Sequence, residues 1–223
     1  MTVELWLPHW GRLRIGCLKL RGHTEFQAAT PRDTRWITYG SSITQCRDVA
    51  GPTDTWSARV ARALDWDLQC LGFDGEAHLD ITAARTIAAA GADIVSLCLG
   101  VNVHSQGSYN RRTLPAQIAA FLGIVRDGHP DVPIVVITPL WSQTRDQHAN
   151  TAGMTLADVR GVVAATVSQL ANLGDKDLHL VSGPDVLGPA DADLLSDGLH
   201  PNRRGYAILA ERLTPLLSAC ADQ

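Results

Sequence analysis

Asp93-Ile94-Val95-Ser96-Leu97-Cys98-Leu99-Gly100-Val101-Asn102 is the stretch that decides the fold. Ile94, Val95, Leu97 and Leu99 make a short apolar run closed by glycine, which predicts a strand over Asp93–Leu99. The Ala-rich segment before it, Ala77–Ala90, reads as a helix stopped by Gly91. The segment after it, Leu114–Arg126, is amphipathic and stops before Gly128. Helix, strand, helix in that order is the middle of a β-α-β chain.

Working outward, the same alternation continues in both directions. Arg35–Tyr39 is a β-rich run ending at Gly40. Thr55–Leu64 places Trp56, Val60 and Leu64 at helical spacing behind a cap expected at Thr53 or Asp54. Leu68–Leu71 is closed by Gly72. Pro133–Thr138 is nearly continuous Ile and Val, as in a strand covered on both faces. Thr155–Leu173 carries Leu156, Val159, Val163, Leu170 and Leu173 along one helical face. Leu178–Val181 is a last strand, and Pro201–Leu217 a last helix with proline in its first turn. Five strands alternating with helices predict an α/β domain over residues 35–223, its five-stranded parallel sheet covered on both faces. Residues 1–34 stand outside this pattern. Val3–Leu7 and Leu13–Leu20, around Pro8-His9-Trp10-Gly11, read as two β-segments of a short N-terminal extension, or as the edge of an upstream β module.

Composition removes several classes of function. The 223 residues are 45% apolar and 19% charged, with a net charge of −4, so the chain has core material and no basic face for nucleic acid. No run approaches the ~20 apolar residues of a membrane span. The N-terminus lacks the basic-then-apolar order of a secretory signal, which leads to the expectation of a soluble, cytoplasmic protein. Cys17, Cys46, Cys70, Cys98 and Cys220 are odd in number and never spaced Cys-x-x-Cys, so they are expected to pack as small hydrophobes. Gly-x-Gly-x-x-Gly, phosphate-loop and His-x-x-x-His patterns are absent, and neither a nucleotide cofactor nor a metal is indicated.

Ligands of open parallel sheets bind beyond the carboxyl ends of the strands, so the residues following each strand are the candidates for chemistry. Gly40-Ser41-Ser42 follows the first strand, Gly72 the second, and Gly100-Val101-Asn102 the third. A long loop after the fifth strand holds Asp197-Gly198-Leu199-His200-Pro201. Asp-x-x-His is weak evidence by itself; its place on the same sheet edge as the serines strengthens it. A serine hydroxyl is a poor nucleophile until an imidazole removes its proton, and the imidazole needs a carboxylate to fix its tautomer. For Ser42 the competing reading is a turn serine that caps the next helix. His104 and His148, on loops near this edge, and Trp141, after the fourth strand, are candidates for lining a pocket. His9, His23, His78, His129 and His179 read as solvated or structural.

Gly40-Ser41-Ser42-Ile43-Thr44, Gly72, Gly100-Val101-Asn102 and Asp197-Gly198-Leu199-His200-Pro201 resemble, in order, the four signature blocks of the SGNH (GDSL-type) hydrolases. The resemblance runs from about Trp36 to the C-terminus. It implies a flavodoxin-like α/β/α sandwich, with Ser42 as nucleophile, His200 as general base and Asp197 as its partner. It further implies an oxyanion hole of the Ser42 and Gly72 backbone N–H groups and the Asn102 side chain. Three departures stand out: Ser41 replaces the usual aspartate of Gly-Asp-Ser, Cys70 an asparagine two residues before Gly72, and Val103 an aspartate. The expected activity is hydrolysis of an acyl ester of a small or medium-sized molecule. Acyl transfer or carbohydrate deacetylation with the same residues, and a non-catalytic binding module, are the alternatives.

Overall fold

A computed structural model describes residues 3–19, 21–22, 25 and 27–222. Five strands, β1 (Arg35–Gly40), β2 (Asp67–Gly72), β3 (Ile94–Cys98), β4 (Ile134–Ile137) and β5 (Leu178–Val181), form one sheet. Every pairing is parallel and the spatial order is β2-β1-β3-β4-β5. The eight helices among the described residues are α1 (Ser42–Gln45), α2 (Trp56–Leu64), α3 (Ile81–Ala89), α4 (Val101–Gln106), α5 (Leu114–Gly128), α6 (Leu156–Asn172), α7 (Gly183–Val186) and α8 (Arg203–Ala221). None is long and apolar enough to cross a membrane.

Alternation along the central strands builds two cores. Ile37, Tyr39, Val95, Leu97, Ile134 and Val136 face α3, α5 and α6. Trp36, Ile94, Val135 and Ile137 face α2 and α8, where Tyr206, Leu209 and Leu213 pack. The result is a flavodoxin-like α/β/α sandwich. The second core encloses a polar chain: Trp36 Nε1–H donates to Ser96 Oγ (3.0 Å), and Ser96 O–H donates to Thr38 Oγ1 (2.9 Å). Trp36 also meets Trp56 and Trp66 edge-on at 5.7 and 5.9 Å.

The structure differs from the sequence expectations at element ends. The first turn expected for the Ala77–Ala90 helix is absent, because Leu79 takes φ 64 and the helix begins only at Ile81. The cap of α2 is Thr55, whose hydroxyl accepts from the Ala58 N–H, in place of Thr53 or Asp54. Pro201 precedes the helix it was expected to open, since Asn202 is the cap of α8. The loop after β5 contains α7 and a 3₁₀ turn over Pro189–Leu194.

The largest correction concerns the N-terminal β-segments. Val3–Leu7 and the described part of Leu13–Leu20 form no strand, and Leu20 lies outside the described residues. An extended chain becomes a strand only by exchanging N–H···O bonds with a neighbour, and this segment has none among the described residues. Val3, Leu5, Ile15 and Leu18 stand about 70% exposed. The segment touches the domain through His9, whose carbonyl accepts from Gln45 Nε2, through Trp10 beneath the Arg47 guanidinium, and through Arg32, paired with Glu4 and Asp65. Cys17 on this segment and Cys70 on the edge strand β2 are exposed, contrary to the expectation that they pack; Cys46 is buried.

Ser96→Ala tests the polar chain in the second core. It leaves the Trp36 N–H and Thr38 hydroxyl without their buried partner, and the expected loss is about 1–3 kcal/mol. A urea unfolding curve shifted to lower midpoint at constant slope reads it directly.

Candidate active site

The strand order reverses at β1, since the chain leaves it toward β2 and returns on its other side as β3. That switch point opens a crevice above the carboxyl ends of β1 and β3. Ser42 follows β1 and Asn102 follows β3, so the sheet places both at the crevice. Gly100 lets the chain turn there: its φ of 114 is denied to residues with a Cβ, and an added Cβ would lie 2.8 Å from Val159 Cγ1.

Ser41 and Ser42 divide two roles that the sequence left open. Ser41 is the cap of α1, its Oγ accepting from the Ile43 N–H at 3.3 Å. Ser42 Oγ instead lies 2.7 Å from His200 Nε2. The capping reading is therefore correct for the neighbouring serine. His200 comes from a hairpin closed by the Leu195–Pro201 bridge and by the Ser196 N–H on the His200 carbonyl. His200 Nδ1 is 2.7 Å from Asp197 Oδ2. With its proton on Nδ1, the imidazole presents Nε2 as an acceptor to the Ser42 O–H.

Asp197 Oδ1 accepts two more bonds, from the backbone N–H groups of Leu199 (3.0 Å) and His200 (2.7 Å). Partial burial works to raise this carboxyl's pKa, but the His200 N–H, the imidazole and the Leu199 N–H outweigh it and hold it down at about 2. A folded value below the unfolded one means that Asp197 adds stability above about pH 4, lost as pH falls toward 2. The carboxylate is charged throughout the range in which an imidazole titrates.

Asn102 is buried, and its Oδ1 accepts from the Ala77 N–H at 3.0 Å. This bond fixes the amide's orientation, and the Nδ2 end bonds no protein group among the described residues. Gly72 allows close approach of α1 to β2, since a Cβ there would lie 2.5 Å from the Gln45 backbone nitrogen. The Phe73 N–H takes the Gly40 carbonyl (2.8 Å), which carries the β1–β2 pairing past Gly72.

Of the pocket candidates, His104 is buried beneath the loop after β4, and neither ring nitrogen has a hydrogen-bond partner. Burial lowers its pKa. His148 is exposed with Nδ1 2.8 Å from the Thr144 carbonyl, and Trp141 is half-buried with its backbone N–H on the Leu187 carbonyl. No side-chain bond joins these three to Ser42, His200 or Asn102 among the described residues. His78 and His129 are held by Gly75 and Ile87 carbonyls, whereas His23 lies outside the described residues. Among the described residues, no group of three or more His, Cys, Asp or Glu is placed to hold a metal ion. Sequence reading missed Ser142, whose Oγ–H donates to the Gly198 carbonyl inside the Asp197–His200 turn; a lone loop serine carries no sequence signal.

Residues 38–208 match the model of the GDSL-like Lipase/Acylhydrolase family. The chain belongs to this family. Its members are enzymes of the hydrolase kind, and the crevice described above lies within the matched region. Among solved structures, the salicylyl-acyltransferase SsfX3 from a tetracycline biosynthetic pathway is 32% identical over 86% of this chain, with a TM-score of 0.78. A putative GDSL-like lipase from Bacteroides ovatus shares the fold at 24% identity over 88% of the chain, with a TM-score of 0.75. This chain spans 56% of the length of each. A family 3 carbohydrate esterase from Talaromyces cellulolyticus also shares the fold, at 20% identity and a TM-score of 0.63 over 85% of this chain and 99% of its own. No curated protein matches the chain.

The two serines separate by experiment. Ser42→Ala is expected to abolish labelling by a fluorophosphonate probe, while Ser41→Ala retains labelling and costs about 1 kcal/mol of stability as a lost cap. Labelling that disappears only in Ser41→Ala would reverse the assignment.

Proposed function

We propose that this protein is a serine esterase that hydrolyses an acyl ester of a small or medium-sized molecule. The observation that carries this reading is the continuous chain from Ser42 Oγ through His200 to Asp197, each link 2.7 Å. In the first step the Ser42 oxygen attacks the ester carbonyl carbon while its proton passes to His200 Nε2. The Asp197 carboxylate stabilises the imidazolium so formed. The tetrahedral intermediate collapses, the C–O bond to the alcohol breaks, and the alcohol leaves with the proton from His200. Water then gives a proton to His200 and attacks the acyl carbon; the bond to Ser42 Oγ breaks, His200 returns the proton to that oxygen, and the acid is released.

The oxygen of the tetrahedral intermediate carries charge that the ester lacks, so donors aimed at it lower the barrier more than they tighten binding. We assign those donors to the Ser42 and Gly72 backbone N–H groups and the Asn102 amide. The half-buried Trp141, His104 on α4 and His148 on the loop after β4 remain our candidates for the substrate side.

A second reading is acyl transfer, in which another alcohol replaces water in the second half-reaction. The 32% identity to a salicylyl-acyltransferase supports it. Partition of an activated ester between free acid and a new ester, with an added alcohol, separates the two activities. We read residues 1–34 as an extension packed on the domain or the edge of a β module; the contacts of His9 with Gln45, Trp10 with Arg47 and Arg32 with Asp65 support the first. Removing residues 1–30 is expected to lower the melting temperature, and an unchanged value counts against packing.

Asn102→Ala tests the oxyanion assignment. It is expected to lower kcat on a p-nitrophenyl ester by roughly 10²–10³, about 2.7–4 kcal/mol, with KM changed much less. A purified variant that keeps most of its kcat would reduce Asn102 to a turn residue.

A further inference from the structure

The turn that presents His200 has little packing to hold it. Ser196, Asp197 and Gly198 are exposed, and nothing lies within 4 Å of where a Cβ on Gly198 would sit. Gly198 takes φ 76. A glycine in open space leaves the peptide that follows it free to rotate unless a bond holds it.

That bond comes from outside the turn. Ser142, on the loop after β4, is 1% exposed and its Oγ–H donates to the Gly198 carbonyl at 2.7 Å. The Gly198 carbonyl and the Leu199 N–H belong to one planar peptide unit, so fixing the first fixes the second. The Leu199 N–H is one of the two backbone donors on Asp197 Oδ1 (3.0 Å), and Asp197 Oδ2 holds His200 Nδ1. Donation to the carbonyl end of a peptide also strengthens its N–H as a donor.

The loop that carries Ser142 is itself anchored. The Arg160 guanidinium, on α6, donates to the Pro139 carbonyl (2.9 Å) and the Leu140 carbonyl (3.0 Å) and pairs with the Asp146 carboxylate. Both charged side chains are 15% exposed. The far end of the loop is tied to α4, where Arg145 donates to Ser105 Oγ and Asn150 Nδ2 to the His104 carbonyl. One loop thus bridges the helix bearing Asn102 and the turn bearing His200.

We infer that Ser142 is a positioning residue: it orients the Gly198–Leu199 peptide, which orients Asp197, which orients His200 toward Ser42. The inference rests on the serine-esterase reading for its effect on rate, and on the hydrogen-bond geometry alone for its effect on His200. In Ser142→Ala, misorientation of the imidazole is expected to lower kcat and the rate of fluorophosphonate labelling roughly 10- to 100-fold. KM should change little, because Ser142 touches no substrate. The proton shared by His200 Nδ1 and Asp197 gives a second readout by NMR, as a far-downfield imidazole N–H resonance. That resonance is expected in the wild type and lost or broadened in Ser142→Ala, whether or not an ester is turned over. An unchanged labelling rate and resonance in Ser142→Ala overturn the inference. So does a variant whose far-UV spectrum shows it unfolded, since Ser142 would then serve the fold at large. A wild type that takes no label defeats the esterase reading instead, and the resonance still decides the role of Ser142.

Discussion

The parallel pairing of β1 between β2 and β3 is the constraint from which the site follows. In a parallel sheet, strands in register end together, and here Gly40 lies opposite Gly72 while Tyr39 lies opposite Leu97. The segments leaving β1, β2 and β3 therefore emerge side by side on one edge. Because the chain departs to opposite sides of β1, the helices of the first two connections cover opposite faces, and no helix closes the gap above the switch point. Topology brings Ser42 and Asn102 to this gap, although they follow different strands, β1 and β3.

Packing holds this half of the site. α1 is only four residues long and could not persist alone. It stands because Ile43 is in the core shared with Trp56 and α8, because Ser41 caps it, and because Gly40 and Gly72 allow backbone and hydroxyl groups to approach it. The Trp36–Ser96–Thr38 chain adds a directional requirement to a core otherwise built from shape, since each polar atom must find its partner across β1 and β3. Such a network favours one register over its neighbours.

How much of this was legible in the sequence follows from where the information lies. Strand interiors such as Ile94–Cys98 and Ile134–Ile137 were readable because burial on both faces demands a run of apolar residues, whatever surrounds them. Helix starts were less so: nothing in the residue types of Ala77-His78-Leu79-Asp80 opposes a helix, and the left-handed turn at Leu79 that delays it to Ile81 is set by the surrounding fold. The N-terminal segment has strand-like alternation but no partner to pair with, and pairing is not a local property. Ser42, Asn102, Asp197 and His200 could be picked out by position after strands. Resemblance favoured Ser42 over Ser41, and the cap that Ser41 supplies became visible only in the structure.

The His200 half of the site is built on another principle. Leu194 and Leu199 anchor its hairpin in the second core, while the tip that carries Asp197 stands in solvent. Packing can hold a hairpin to the body of the domain, but it cannot set the angle of an exposed carboxylate. Hydrogen bonds must do that, and they converge on Asp197 from the His200 N–H, the Leu199 N–H and the imidazole itself. Local opening is cheapest where buried contacts are few, so this tip is the part of the site with the least cooperative support. The bond from Ser142 reaches it from a loop that Arg160 pins to α6, and so lends the tip some of the rigidity of the core. An exposed acid can then align an imidazole without being buried, which would raise its pKa and weaken the charge that the imidazolium requires.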